Sequence, residues 1–190
     1  MKNNLNIVKR TIVLFTLIYI IISFIVPYCV KNITHIKPYA EFVKEAADIY
    51  NIDENLIYSV MKVESKFKSY AISNRDAIGL MQILQPTADE IILEIHNDTI
   101  TTKLDNPKNN IHIGSKYLSN LLKRYDNNIG IAIAAYNAGI GNVNKWLENG
   151  IISKEDSSSL INIPFPETRE YVNKVLRTYK IYNKLYKNKK

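Results

Sequence analysis

Residues 11–30 contain no charged side chain and are dominated by Ile, Val, Leu, Phe and Tyr. Lys2, Lys9 and Arg10 precede this run, and no acid lies among residues 1–10. About 20 apolar residues are what a helix needs to cross a bilayer core. Basic charge ahead of the run predicts a cytoplasmic residue 1–10 segment, with the rest of the chain outside. A single-pass membrane anchor and a cleaved signal peptide both fit residues 11–30. A signal peptide prefers a shorter apolar run and a small-x-small cleavage site, whereas this run ends in Val26-Pro27-Tyr28-Cys29. That favours the anchor, and bulky Tyr28 disfavours lipidation of Cys29. A buried core helix is a poor reading, because the run has no polar face.

A polar linker over residues 31–37 separates this segment from residues 38–190, where the polarity pattern turns helical throughout. Phe42, Val43, Ala46, Ala47, Ile49 and Tyr50 form one stripe. Asp53 is placed to cap a helix that ends near Glu64. Residues 65–78 have a loop composition, and Pro86 or Thr87 opens a helix through about Ile95. Pro107 suits the first turn of a longer helix, whose core stripe is Ile111, Gly114, Tyr117, Leu118, Leu121, Leu122 and Tyr125. Residues 129–138 are almost all apolar or small and predict a helix buried on most sides, ended by Gly139 and Gly141. A short helix follows through Trp146, stopped by Gly150, and residues 151–163 predict a mobile loop. Pro166 begins the last helix, with Val172, Val175, Leu176, Tyr179, Tyr182 and Leu185 inward. No stretch alternates for long as a strand would. The expected fold class is all-α, a compact helical domain behind an N-terminal transmembrane helix.

Composition changes this picture little. The 190 residues are 46% hydrophobic and 23% charged, an ordinary globular balance. The net charge of +7 is compatible with an anionic membrane or wall polymer, and equally with a basic solvated surface. Nucleic acid is not expected as a partner. The Lys and Arg residues are dispersed apart from Lys184, Lys187, Lys189 and Lys190, and no nucleic-acid motif accompanies them. Cys29 is the one cysteine, so no intrachain disulfide can form. His35, His96 and His112 lack metal-ligand spacing, so no metal and no cofactor are expected.

Glu64 is the residue hardest to explain as structure alone. Ile57, Val60 and Met61 lie at i, i+3 and i+4 of one helix face, and Glu64 takes i+7 on that same face. A solvated Glu at a helix end is the common case. Here the apolar surroundings and the helix C-terminal dipole both disfavour the charged form. A carboxyl with a raised pKa is what general-acid cleavage of a glycosidic bond requires. Ser65, Ser73 and Asn74 in the following loop are available as partners. Gly79-Leu80-Met81-Gln82 combines close backbone approach with a two-way hydrogen-bonding amide. Met81 is otherwise a gap-filler. Tyr136 and Asn137, at the end of the buried helix, fit either a satisfied core pair or a pair aimed into a cleft.

Together these blocks resemble the soluble lytic transglycosylase catalytic domain, whose fold is close to goose-type lysozyme. The resemblance runs through Glu64-Ser65 and Phe67, Ala71-Ile72-Ser73, Ala77-Ile78-Gly79-Leu80-Met81-Gln82-Ile83 and Thr87-Ala88. It continues with Asn106-Pro107, Asn110-Ile111, Gly114 and Tyr117-Leu118, then Ala134-Ala135-Tyr136-Asn137-Ala138-Gly139 with Gly141 and Val143. Ile163-Pro164-Phe165, Glu167-Thr168-Arg169 and Tyr171-Val172 close it. The resemblance implies cleavage of the β-1,4 bond between N-acetylmuramic acid and N-acetylglucosamine in peptidoglycan. Glu64 would first protonate the leaving oxygen, then act as base on the muramoyl 6-hydroxyl to close a 1,6-anhydro ring. It also implies that Ser73, Met81 and Gln82 line the sugar cleft, that Tyr136 and Asn137 support the reacting centre, and that Glu167 reaches the site from the far side. Glu167 also has a bland role, completing the first turn of the last helix. The implied partners are glycan strands and, through the N-terminal helix, a membrane; a monomer is expected. A hydrolytic muramidase and a non-catalytic wall-binding protein are the alternatives. Asp76 stands where that family usually has Gly, and a cleft-facing Asp76 would favour the hydrolase. Pro86 lies one place later than the usual Pro.

Overall fold

The computed structural model describes residues 2–25, 37–96 and 98–186. Chain contacts divide it into two compact units, Met1–Lys37 and Pro38–Lys190. In the first unit, α1 (Lys2–Ile20) runs into a π-helical turn at Ile21–Ile25. Its large apolar side chains, including Phe15, Tyr19 and Phe24, are exposed. Among the described residues no helix is long and apolar enough to cross a membrane. The reason lies in where the helix falls. Its first half is spent on the basic segment, and the π turn interrupts its apolar half. The last quarter of the expected span, residues 26–30, lies outside the described residues, as do Cys29, His35 and most of the linker.

Among its described residues the second unit has seven α-helices and one 3-10 turn. They are α2 (Ala40–Tyr50), α3 (Glu54–Glu64), α4 (Gln85–Ile92), α5 (Pro107–Arg124), α6 (Ile129–Ala138), α7 (Ile140–Glu148) and α8 (Pro166–Tyr186), with the 3-10 turn at Ser157–Asn162. Asx caps start three of the helices. Asp53 accepts from Asn55 N at 2.7 Å, Asn106 from Asn109 N at 3.2 Å and Asn128 from Ile131 N at 3.1 Å. Each cap satisfies one of the donors a helix start leaves open.

Helix α6 sits at the centre. Ile131, Ala132, Ile133, Ala134 and Ala135 are all fully buried, and α5, α7 and α8 pack around the helix. Small side chains let the neighbours approach, while each buried Ile contributes about 1.5–3 kcal/mol. Helix α8 runs antiparallel to α3. Tyr179 Oη donates to Asp53 Oδ2 at 2.9 Å, Asn55 Nδ2 donates to Asn183 Oδ1 at 2.9 Å, and Tyr58 stacks on Tyr182 with centroids 5.8 Å apart. These contacts fix the register that brings Tyr171 opposite Glu64.

Two local expectations are corrected. Helix α4 starts at Gln85 and stops at Ile92, so Ile95 lies past its end. Residues 151–163 are not simply an open loop. Asp156 accepts from Ser158 N at 2.8 Å and opens the 3-10 turn, while Ile152, Ser159 and Ile163 are buried. The polar Ser157-Ser158-Ser159 composition hid this, because the Ser158 and Ser159 hydroxyls donate to Asp156 Oδ1 and O within the turn.

Candidate active site

Residues 65–83 fold without regular secondary structure, and hydrogen bonds set their shape. Ser65 Oγ donates to Leu80 O at 2.8 Å, and Gly79 N donates to Ala71 O at 2.8 Å. Ser73 Oγ accepts from Ala77 N at 3.0 Å and from Arg75 N at 3.2 Å. Isolated bridges join Ile78 to Ile72 and to Ile83. One buried amide ties this loop to α5. Asn110 Oδ1 accepts from Met81 N at 2.8 Å, and its Nδ2 donates to Ile78 O at 2.8 Å and Leu104 O at 2.9 Å. Gly79 (φ +81°) makes this approach possible: a Cβ there would stand 2.2 Å from Asn110 Nδ2 and 2.6 Å from Leu104 O.

A cleft of about 420 Å³ opens beside this loop. Glu64, Ser73, Arg75, Gln82, Tyr136 and Asn137 line it, with Leu84, Thr87 and Tyr117 along one side. Glu64 is the only carboxylate and Arg75 the only cation among the lining residues. Glu64 lies at the end of α3, partly buried. Burial pushes its carboxyl up from 4.5 to about 7, against the opposing pull of Tyr171, whose Oη donates to Glu64 Oε1 at 2.6 Å. Tyr171 and Tyr136 are held well above the usual phenol range, first by burial and then by the Glu64 charge. Both phenols therefore stay protonated. Tyr136 spends its proton on Met81 O at 2.8 Å and packs against the Tyr117 ring at 5.3 Å. A proton donor at neutral pH thus faces a polar groove, held by a neutral donor of its own.

Ser73, Gln82, Tyr136 and Asn137 are all gathered at the cleft with Glu64. Gln82 adopts φ +51°, and its Nε2 braces the loop by donating to Gly79 O at 2.9 Å and Ala71 O at 3.1 Å. Asn137 Oδ1 accepts from Thr168 Oγ1 at 2.7 Å, which joins the end of α6 to the start of α8. Met81 is not among the cleft-lining residues: its side chain is fully buried, with Sδ packed where any Cβ on Gly114 would have to go (2.6 Å). Only its backbone serves the site, through Asn110 and Tyr136. Glu167 is exposed in the first turn of α8 and reaches the cleft through Arg75, whose Nη2 lies 3.2 Å from Glu167 Oε1.

Asp76 is exposed, has φ +58° and is not among the cleft-lining residues. That left-handed backbone is natural for Gly and tolerated by Asp, so the Gly-to-Asp departure preserves the turn and adds no second acid to the cleft. Tyr171 and Arg75 had no role in the sequence reading. Tyr171 was visible there only as part of the last block, and Arg75 only as a loop residue.

A lysozyme-like helical fold with one partly buried acid on a polar groove defines a class of glycan-cleaving domains. The Transglycosylase SLT domain family matches residues 41–157, more than half of the chain, and this protein belongs to that family. Among relatives, the membrane-bound lytic murein transglycosylase C of Photorhabdus laumondii subsp. laumondii is 32% identical over 169 residues, covering 76% of this chain and 46% of that protein. Among solved structures, the 70-kDa soluble lytic transglycosylase from Escherichia coli superposes with a TM-score of 0.70 at 32% identity, covering 77% of this chain and 24% of that one. An inactive Glu-to-Gln mutant of the lytic transglycosylase Slt from Pseudomonas aeruginosa gives the same TM-score at 32% identity, covering 79% and 24%. The chain thus spans about half the length of the first relative and about a quarter of the solved structures.

Proposed function

We propose that this protein is a peptidoglycan lytic transglycosylase with Glu64 as its single acid and base. The observation that carries the reading is Glu64 itself, a partly buried carboxyl with a pKa of about 7 on a cleft that has no second acid among its lining residues. At neutral pH a large fraction of Glu64 is protonated and donates to the glycosidic oxygen as the bond to C1 of the muramoyl unit breaks. The resulting carboxylate, steadied by the Tyr171 hydroxyl, then takes the proton from the muramoyl 6-hydroxyl as that oxygen bonds to C1. Glu64 ends protonated, and no water is consumed. A retaining hydrolase would place a second carboxylate about 5–5.5 Å from the first; an internal hydroxyl nucleophile removes that need. Ser73, Gln82 and Asn137 present polar groups along the groove for the sugar, while Tyr136 fixes the backbone behind it.

Mass spectrometry of digested peptidoglycan tests this directly. The full chain should release 1,6-anhydromuramoyl ends, and Glu64→Gln should release none while remaining folded. Reducing ends in place of anhydro ends would make the protein a muramidase, and release by Glu64→Gln would remove Glu64 from the chemistry.

The N-terminal unit gives the reading its location. Helical residues 11–25 expose a belt of large apolar side chains, which supports membrane attachment through residues 11–30 with the catalytic unit outside the cytoplasm. Recovery of the protein in the membrane pellet after alkaline washing, and its loss on deletion of residues 1–30, tests the attachment.

A further inference from the structure

The cleft carries one positive charge. Arg75 projects from the 65–83 loop on one wall, and Glu167 stands at the start of α8. The ion pair ties these two elements across the cleft's edge. Both side chains are exposed, and an ion pair so placed is worth little on its own. It has a geometric effect nonetheless. Glu167 meets a single guanidinium nitrogen, Nη2, and holds the long side chain beside the groove. Arginine has five N–H donors in a rigid fork, so most of that fork stays available to a second acceptor. The backbone beneath is also fixed, because Arg75 N donates to the Ser73 hydroxyl.

A glycan cleft needs no cation to hold neutral sugars; hydroxyl, amide and aromatic groups suffice, and Ser73, Thr87, Gln82, Asn137, Tyr117 and Tyr136 supply them among the lining residues. Peptidoglycan differs from a neutral glycan in the carboxylates of its stem peptides. We propose that Arg75 is a specificity-determining residue that binds a stem-peptide carboxylate, with Glu167 as the positioning residue that aims it. This inference rests on the peptidoglycan reading above. It gives Glu167 its link to the site without requiring direct contact with sugar.

The test compares two forms of one substrate, solubilised glycan strands with intact stems and the same strands with stem carboxylates converted to amides. Amidation leaves length and sugar chemistry unchanged. The full-length wild-type protein should show a KM about fivefold lower on the acidic strands, the scale an exposed charge pair can supply, with kcat unchanged. Arg75→Gln should give equal KM values on both, Arg75→Lys should retain part of the difference, and added salt should shrink the wild-type difference. A wild-type KM ratio that persists in Arg75→Gln would overturn the proposal, as would a loss confined to kcat. Absence of anhydro products from wild type on both substrates would instead fail the transglycosylase reading, and this assignment with it.

Discussion

Replacing Glu64 with Gln should make the folded domain more stable, by an amount that depends on pH. Burial lifts the Glu64 carboxyl from 4.5 to about 7 in the folded chain. The folded state therefore binds this proton more tightly than the unfolded state does. Its stabilising effect is complete below about pH 4.5, is lost progressively as pH rises towards 7, and is gone above that. A difference of about 2.5 units corresponds to roughly 3 kcal/mol, an upper figure because the carboxyl is not fully enclosed. Gln does not titrate and can still accept from Tyr171. The wild-type and Glu64→Gln stabilities should therefore lie close together at pH 4.5, with the variant rising to about 2–3 kcal/mol above wild type at pH 8. For a chain of this size that is several degrees in Tm. Trp146 is the only tryptophan and lies in α7, edge-on to Phe165 at 5.2 Å, so its fluorescence reports on the second unit alone. A stability gap that stays constant from pH 4.5 to 8, or a variant less stable than wild type at pH 8, would refute the burial argument.

Tyr171→Phe should move the pH profile in a defined direction. The lost 2.6 Å hydrogen bond favours the charged carboxylate, so the basic limb of kcat/KM should shift upward by about one unit; an unshifted or lowered limb would sink the assignment of Tyr171 to Glu64. Gly79→Ala should destabilise the domain by about 2–4 kcal/mol, since φ +81° and the Asn110 and Leu104 contacts leave no room for a methyl. Urea titration measures it, and a cost under 0.5 kcal/mol would mean that the loop relaxes freely.

Helical periodicity made most of the domain legible. The starts at Pro107 and Pro166, the buried 129–138 helix and the Glu64 stripe all follow from local pattern, and each appears at the expected place. What escaped the sequence was long-range or backbone-borne. Tyr171 reaches Glu64 across 107 residues of chain, and Arg75 reaches Glu167 across 92, and no local period encodes either contact. The burial of Met81 was not legible either, because the short Gly79–Gln82 segment has no period to say which side chain points inward. Asp76 and Gln82 each hold a left-handed backbone that residue chemistry alone does not announce. Asn110 entered the sequence picture only as part of the Asn110-Ile111 block, yet its amide ties the loop to α5 through Met81 N, Ile78 O and Leu104 O.

The union of Glu64 with Tyr171 also bears on the order of synthesis. The acid is made early, and the helix that covers it is the last described element of the chain. Until α8 docks against α3, Glu64 lacks its Tyr171 hydrogen bond, and a chain interrupted before Tyr171 carries all of the loop without that partner. The acid–phenol pair is thus completed only when α8 has arrived, after every other described helix of the unit.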